Sequence, residues 1–254
     1  MTGNSMPRAL VTGGSQGLGR AFCNQLARKG RQVVSIDRYP PDTENENITT
    51  VRCDLSDGRQ VNDILDKLEE LAPFDLVILN AGASATGKFE AIPFAAYQKL
   101  VTLNAKTPML LASQLAARGL YADCANLIFI ASLSHYTGYP GAAVYAATKD
   151  AVAVYAKSIR KPFDKQGITV SCAFPGPLRT AQAERHAPRG ANPASRMTAD
   201  TAAEKIVAAA RAGRPRIIPG AANRLFALAG RLAPGPVTWV MRRIIYEKLD
   251  SEVF

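Results

Sequence analysis

Tyr145 and Lys149 lie four residues apart in the stretch NLIFIASLSHYTGYPGAAVYAATKD, residues 126–150. Four is the spacing that sets two side chains on one face of a helix. Upstream, the apolar run from Leu127 to Ala131 reads as a buried strand that delivers Ser132 at its end, and Gly138, Pro140 and Gly141 punctuate the loop between. A hydroxyl, a phenol and an ammonium therefore converge. A free tyrosine titrates at about pH 10, far from neutrality. A neighbouring ammonium stabilises the phenolate and lowers that value, which makes Tyr145 an effective general acid or base. Ser132 is placed to hydrogen-bond an oxygen that gains or loses charge. The set suits proton transfer at an alcohol or ketone oxygen. A proton alone does not oxidise an alcohol, so a hydride carrier must be held elsewhere in the chain.

The N-terminal segment offers such a place. Arg8 to Thr12 reads as a short strand, followed by Thr12-Gly-Gly-Ser-Gln-Gly-Leu-Gly19 and a helical run from Arg20 to Lys29 that stops at Gly30. Strand, glycine turn and helix form the context in which glycines at 13, 17 and 19 admit a pyrophosphate to the helix N-terminus. A second strand, Gln32 to Ile36, ends at Asp37-Arg38. A carboxylate about 20 residues after the glycines bonds the adenosine ribose hydroxyls and repels a 2′-phosphate. Asp37 thus favours NAD, whereas Arg38 beside it would accommodate NADP.

The elements that position these groups alternate. Ile48 to Cys53 reads as a third strand ending at Asp54-Leu55, Gly58 to Leu71 as a helix, and Leu76 to Leu79 as a fourth strand ending in Asn80-Ala81-Gly82. Phe94 to Arg118 is one long helix or two, with a kink or break expected at Pro108. The strand before Ser132 is the fifth, the Tyr145 helix runs to about Phe163, and Ile168 to Phe174 is the sixth strand, ending at Pro175-Gly176-Pro177. Short strands alternating with helices specify an α/β fold, a doubly wound parallel sheet covered on both faces. Ligands of such sheets sit at the C-terminal ends of the strands, where the chemistry-bearing residues fall.

Residues 178–198 lose periodicity and read as a lid or mobile substrate loop reaching to about residue 200. Thr201 to Ala212 is helical in pattern and Arg216 to Ile218 is a last short strand. From Ala221 the chain mixes Leu, Phe, Trp239, Val and Ile with arginines, reading as two short helices separated by Pro234-Gly235-Pro236. This tail is expected to close over the substrate pocket and to help admit an apolar or acyl substrate.

The chain has 254 residues, enough for one α/β domain spanning 1–254, and no internal repeat or domain boundary is visible. Cys23, Cys53, Cys124 and Cys172 are scattered and read as free thiols of a reducing, cytoplasmic compartment. With His135 and His186 the only histidines, no histidine-based metal site is expected. The N-terminus MTGNSMPRAL has no basic segment followed by an apolar one, so no signal peptide is expected, and no apolar run reaches the roughly 20 residues of a membrane span. The net charge of +10 is uneven. Between Arg211 and Lys248 lie eight basic residues and one acidic residue, Glu247, so 8 − 1 = +7 sits in this segment. That balance points to a solvated face, a membrane surface, an acidic acyl-carrier partner or an anionic substrate. No motif accompanies it that would indicate nucleic acid.

Taken together, T-G-x-x-x-G-x-G at 12–19, N-A-G at 80–82, Asn104, Ser132, Y-x-x-x-K at 145–149 and Pro175-Gly176 resemble the short-chain dehydrogenase/reductase family over residues 8–218. The resemblance implies a Rossmann-type sheet of about seven strands in the order 3-2-1-4-5-6-7, with a C-terminal helical extension. It implies that Tyr145 is the catalytic acid/base, that Lys149 lowers its pKa and binds the nicotinamide ribose, that Ser132 orients the substrate oxygen, and that Asn104 holds a water in a proton relay from Lys149. It assigns Gly13, Ser15, Gln16, Gly17, Leu18 and Gly19 to the pyrophosphate, Asp37 and Arg38 to the adenosine ribose, and Asp54 and Leu55 to the adenine pocket. Asn80, Ala81 and Gly82 would pack beside the ribose, Pro175 and Gly176 would face the nicotinamide, and Thr180 would lie near its carboxamide. Family members commonly pair through the Asn104 and Tyr145 helices as dimers or tetramers. The reading is an NAD(P)-dependent oxidoreductase acting on a secondary alcohol or ketone of apolar, acyl or polyketide/steroid-like character. A lyase, isomerase or esterase on the same fold, or a non-catalytic nucleotide-binding protein, is the alternative.

Overall fold

Why the chain layers as it does is visible in three central strands of a computed structural model, which describes residues 8–41, 45–187, 190–248 and 253. Successive strand residues point to opposite faces. In β1 (Arg8–Thr12), Leu10 faces one apolar cluster while Ala9 and Val11 face the other. In β4 (Phe74–Leu79), Val77 and Leu79 oppose Leu76 and Ile78, and in β5 (Tyr121–Ile130), Leu127 and Phe129 oppose Ile128 and Ile130. Strands apolar on both faces need a helical layer on each side.

The first layer comprises α2 (Gly58–Leu71), α4 (Thr107–Ala117) and α5 (Ala143–Asp164), and the second comprises α1 (Gly17–Arg28) and α7 (Ala199–Arg211). In α2, Val61, Ile64, Leu65 and Leu68 form a buried stripe at helical spacing, and the Asp57 carboxylate caps the start by accepting from the Arg59 amide at 2.9 Å.

With β2 (Gln32–Asp37), β3 (Ile48–Arg52), β6 (Thr169–Ala173) and β9 (Arg216–Ile217), the sheet is parallel throughout and runs β3-β2-β1-β4-β5-β6-β9. This is the expected order. The last place belongs to β9 because a two-stranded ribbon, β7 (Leu178–Arg179) with β8 (Met197–Thr198), precedes it.

Four local expectations need correction. β5 starts at Tyr121 rather than Leu127, because a register shift between Phe74 and Leu76, with Cys124 at φ 57°, lets the polar residues before Leu127 stay in the strand. The interruption expected at Pro108 falls just ahead of it. Pro108 sits in the first turn of α4, and a π-helical turn at Thr102–Lys106 joins α3 (Phe94–Val101) to α4. The 178–198 stretch is not structureless, since it holds β7, α6 (Ala181–Arg185) and β8. Pro234-Gly235-Pro236 forms the first turn of α9 (Pro234–Ile244), and Ala233 alone links it to α8 (Ala221–Leu232). The expected loop to residue 200 and tail to residue 254 also run over 188–189, 249–252 and 254, which lie outside the described residues.

Phe129 is fully buried and packs edge-on against Tyr155 at 6.0 Å. Phe129→Ala should cost about 3–5 kcal/mol in urea unfolding, whereas Phe89→Ala at an exposed position should stay within about 0.5 kcal/mol.

Candidate active site

The C-terminal ends of β1 and β4 are locked together first. Thr12 Oγ1 accepts from the amides of Asn80 and Ala81 at 2.9 and 3.0 Å, and Asn80 Nδ2 donates to the carbonyls of Thr12 and Gly13 at 3.0 and 3.3 Å. This clamp holds the glycine turn. Gly13 and Gly19 are packed against each other: a Cβ on Gly19 would collide with the Gly13 carbonyl oxygen, and one on Gly13 would lie 2.9 Å from Ala81 Cα. Gly14, a position not singled out beforehand, similarly leaves room for the side chains of Ser35 and Cys23. At these glycines a side chain would collide with the turn itself or with atoms packed against it. Gly17, at φ +55°, is the open one, with only Thr180 near its missing Cβ at 3.5 Å.

The α1 N-terminus suits an anion. Its cap residue, Gln16, makes no side-chain capping bond, and no acidic residue stands in the first turn. The first amides of the helix, from Leu18 and Gly19 onward, form a set of donors backed by the helix dipole. Ser15 is pinned from β2: its amide donates to Asp37 Oδ2 at 3.0 Å, and its hydroxyl donates to the Tyr39 carbonyl. Asp37 Oδ1 also accepts from the Arg38 amide at 2.7 Å, so the carboxylate supports the loop and retains acceptor capacity for ribose hydroxyls. Arg38 leans over the Tyr39 ring and approaches Asp54 Oδ2 at 3.9 Å. Burial works against the Asp54 carboxylate, but bonds from Ser56 and the charges of Arg38 and Lys99 outweigh it, and its pKa lies below the ordinary value. The Leu55 carbonyl accepts from Thr107 Oγ1 at 2.7 Å, tying this edge to α4.

At the end of β5, Ser132 is buried, accepts from the Ser134 amide at 3.2 Å and lies near enough to the Tyr145 phenol to lower its pKa. Lys149 is buried too and donates to the Ile130 carbonyl at 2.8 Å. Gly82 makes space for it: a Cβ there would meet Lys149 Nζ at 3.1 Å and Asn104 Oδ1 at 3.2 Å. Asn104 is fixed on three sides, accepting from the Ala83 amide and donating to the Ala83 carbonyl, both at 2.9 Å, and donating to Thr148 Oγ1 at 3.1 Å. Thr148 in turn donates to the Tyr145 carbonyl at 2.8 Å. Pro108 has no N–H, so the Asn104 carbonyl lacks the donor an α-helix would supply four residues on. Thr12 and Thr148, neither assigned a site role from the sequence, are thus the connecting pieces. Thr148 stands three residues after Tyr145, a spacing that signals a shared helix face.

The electrostatics correct one expectation. Tyr145 is raised above its ordinary pKa, with burial the largest cause, Ser132 opposing it and Tyr139 adding to it. Lys149 addresses Ile130 rather than the phenol, and burial lowers its own pKa from 10.5 to about 8.

Pro175 and Gly176 follow β6. The Pro175 carbonyl accepts from the Leu133 amide at 3.0 Å, and Asn223 of α8 stands where a Gly176 side chain would, 2.6 Å away. Thr180 caps α6 through the Ala183 amide at 3.2 Å and lies beside Gly17. The loop after β4 gathers the rest of the rim. Thr86 exchanges both backbone bonds with Val253 at 2.9 Å, its hydroxyl pairs with His186 Nδ1 at 3.0 Å, and the Gly87 amide donates to the Gly141 carbonyl at 2.9 Å. The structure therefore gathers the predicted residues into two groups, one around the glycine turn from Asp54 to Gly17 and a hydroxyl–phenol–ammonium group at the end of β5.

A family model described as short chain dehydrogenase matches residues 7–189. The chain belongs to the short-chain dehydrogenase family. It is an oxidoreductase of the NAD(P)-dependent dehydrogenase/reductase type. It is 30% identical over 173 residues to the 3-oxoacyl-[acyl-carrier-protein] reductase MabA of Mycobacterium bovis, covering 67% of this chain and 69% of that protein. Gluconate 5-dehydrogenase of Gluconobacter oxydans is 28% identical over 188 residues, covering 70% and 73%. In fold, a short-chain dehydrogenase from Sphingobium yanoikuyae in complex with NADPH superposes with a TM-score of 0.73 at 23% identity, covering 89% of this chain and 93% of that one.

Two outcomes test the site. Gly19→Ala should weaken NADH binding at least tenfold by fluorescence titration, while Gly58→Ala, with nothing within 4 Å of the added carbon, should leave it unchanged. For Lys149, the folded pKa lies below the unfolded one, so the burial cost is fully present below about pH 8 and fades as pH rises towards 10.5. Urea unfolding should show Lys149→Met gaining most on the wild type at pH 7, with the difference shrinking by up to about 3 kcal/mol at pH 10.5.

Proposed function

We propose that the protein interconverts a secondary alcohol and a ketone, with Tyr145 as acid/base, Ser132 orienting the substrate oxygen and Lys149 binding the nicotinamide ribose. The observation that carries this is the buried Ser132 at the end of β5 together with Tyr145 on α5 and the buried Lys149 ammonium one helix turn further on, donating to the Ile130 carbonyl. A bound nicotinamide would supply or accept the hydride. The upward-shifted phenol stays protonated at neutral pH, which is the form that donates to the oxygen of a ketone under reduction. In this reading Ser132 holds that oxygen, and Asn104 holds a water in a proton relay leading from Lys149.

NAD is the proposed nucleotide. The Asp37 carboxylate at the end of β2 supports this, as does the engagement of Arg38 with Asp54 rather than with open space. An apolar or acyl substrate is supported by an open surface depression between Pro140, in the loop between Ser132 and Tyr145, and Pro234, Gly235, Thr238, Trp239 and Arg242 of α9. The likeness to a 3-oxoacyl reductase agrees with it. Exposed Val101 and Val154 on the Asn104 and Tyr145 helices support pairing of copies through those helices.

Tyr145→Phe should lower turnover on a confirmed substrate by about 10²–10⁴-fold and leave NADH binding intact. Retained turnover would remove Tyr145 from the chemistry. Titration should show NADH bound more tightly than NADPH, and the reverse order would hand the ribose site to Arg38.

A further inference from the structure

α8 and α9 are apolar on the side that faces away from the protein. In α8 the packed positions are Ala227 and Gly230, both buried, with Asn223 and Phe226 partly so. Gly230 has no side chain because the Tyr136 carbonyl and Thr137 lie against it. Leu225, Leu228 and Leu232 stand three and seven residues apart, so they form one stripe on the opposite side of the helix. All three are exposed, Leu232 at 74%. In α9, Thr238 Oγ1 donates to the Thr137 carbonyl at 3.1 Å, which fixes the packed side, while Trp239, Val240 and Ile244 are exposed. Six of the exposed large apolar side chains among the described residues therefore fall between 225 and 244. A soluble surface does not concentrate such side chains without an occupant.

The charge around this face selects the occupant. From Ala221 to Lys248 the basic residues are Arg224, Arg231, Arg242, Arg243 and Lys248, and the acidic one is Glu247, which pairs with Arg242 at 3.6 Å, so the balance is 5 − 1 = +4. Arg243 lies over the Trp239 ring at 4.3 Å, an arrangement in which the stem covers apolar surface and the guanidinium stays at the boundary. Two such faces would repel each other, which argues against a second copy. An acidic protein would answer the arginines but would offer little to six apolar side chains. A bilayer surface with anionic headgroups answers both at once. Among the described residues no helix is long and apolar enough to cross a membrane, so the helices would lie in the interface plane.

We infer that α8 and α9 form a peripheral docking face for anionic lipid surfaces, with Leu225, Leu228, Leu232, Trp239, Val240 and Ile244 entering the interface and the arginines meeting the headgroups. The open depression that Trp239 and Arg242 also line then lies beside the membrane. This inference does not depend on the chemistry proposed for Tyr145.

Trp239 is the single tryptophan of the chain and is 51% exposed, so its emission reports the face directly. The full-length protein is mixed with vesicles of pure phosphatidylcholine or of phosphatidylcholine with about one third phosphatidylglycerol. Sedimentation with the anionic vesicles, a blue shift of the emission, and loss of both in 0.5 M salt are expected. The variant Leu225→Ser/Leu228→Ser/Leu232→Ser should bind the anionic vesicles at least tenfold more weakly while keeping its circular dichroism spectrum and NADH affinity. The single variant Leu232→Ser should show a smaller loss in the same direction. No binding to anionic vesicles would overturn the inference. So would binding of a purified acyl carrier protein in the absence of vesicle binding. A drop in oligomeric mass of the triple variant in sedimentation velocity would equally overturn it, because the face would then be a contact between copies.

Discussion

A buried ammonium needs an acceptor, and the site is arranged around the one that Lys149 finds. Its bond to the Ile130 carbonyl draws α5 against the end of β5, and that contact decides where Tyr145 stands relative to Ser132. Space for the charge comes from Gly82, whose neighbour Ala81 is held by Thr12 at the end of β1. Asn104 and Thr148 then connect the π-turn ahead of α4 to α5 across the same point. Leaving so strongly solvated a group unpaired in the interior would be costly, so the Ile130 carbonyl holds the ammonium in one place. The rigidity that a proton-transfer site needs follows from this electrostatic requirement.

Much of this was readable in the amino-acid order, for identifiable reasons. Strands buried on both faces give unbroken apolar runs such as Leu127 to Ala131, and the helices between them carry 3.6-residue periodicity, so the α/β class follows from pattern, while the strand order comes with the family resemblance. The helix-turn spacing of Tyr145 and Lys149 survives in the structure because it depends only on local geometry. Polar clamps are harder to foresee. Thr12 and Thr148 act through side chains that reach across 68 and 44 residues, and nothing in local periodicity marks such partners. The direction of the Tyr145 shift failed for a related reason: spacing placed Lys149 on the same helix face, but desolvation and the choice of acceptor are tertiary properties.

The glycines illustrate how one motif can answer two demands. Gly13, Gly14 and Gly19 are small because protein atoms crowd them, and Gly17 is the residue whose surroundings are open. A glycine motif is therefore as much a statement about how tightly strand, turn and helix pack as about what binds there. The Pro108 turn makes a comparable point. A residue that removes one N–H leaves the helix continuous by widening a single turn, and that turn is where Asn104 is held.

Thr86 joins three otherwise separate pieces of the rim, the chain end through Val253, α6 through His186 and, by way of Gly87, the loop ahead of Tyr145. Segments that share a single anchor do not open independently. A displacement at Thr86 therefore reaches all three segments at once.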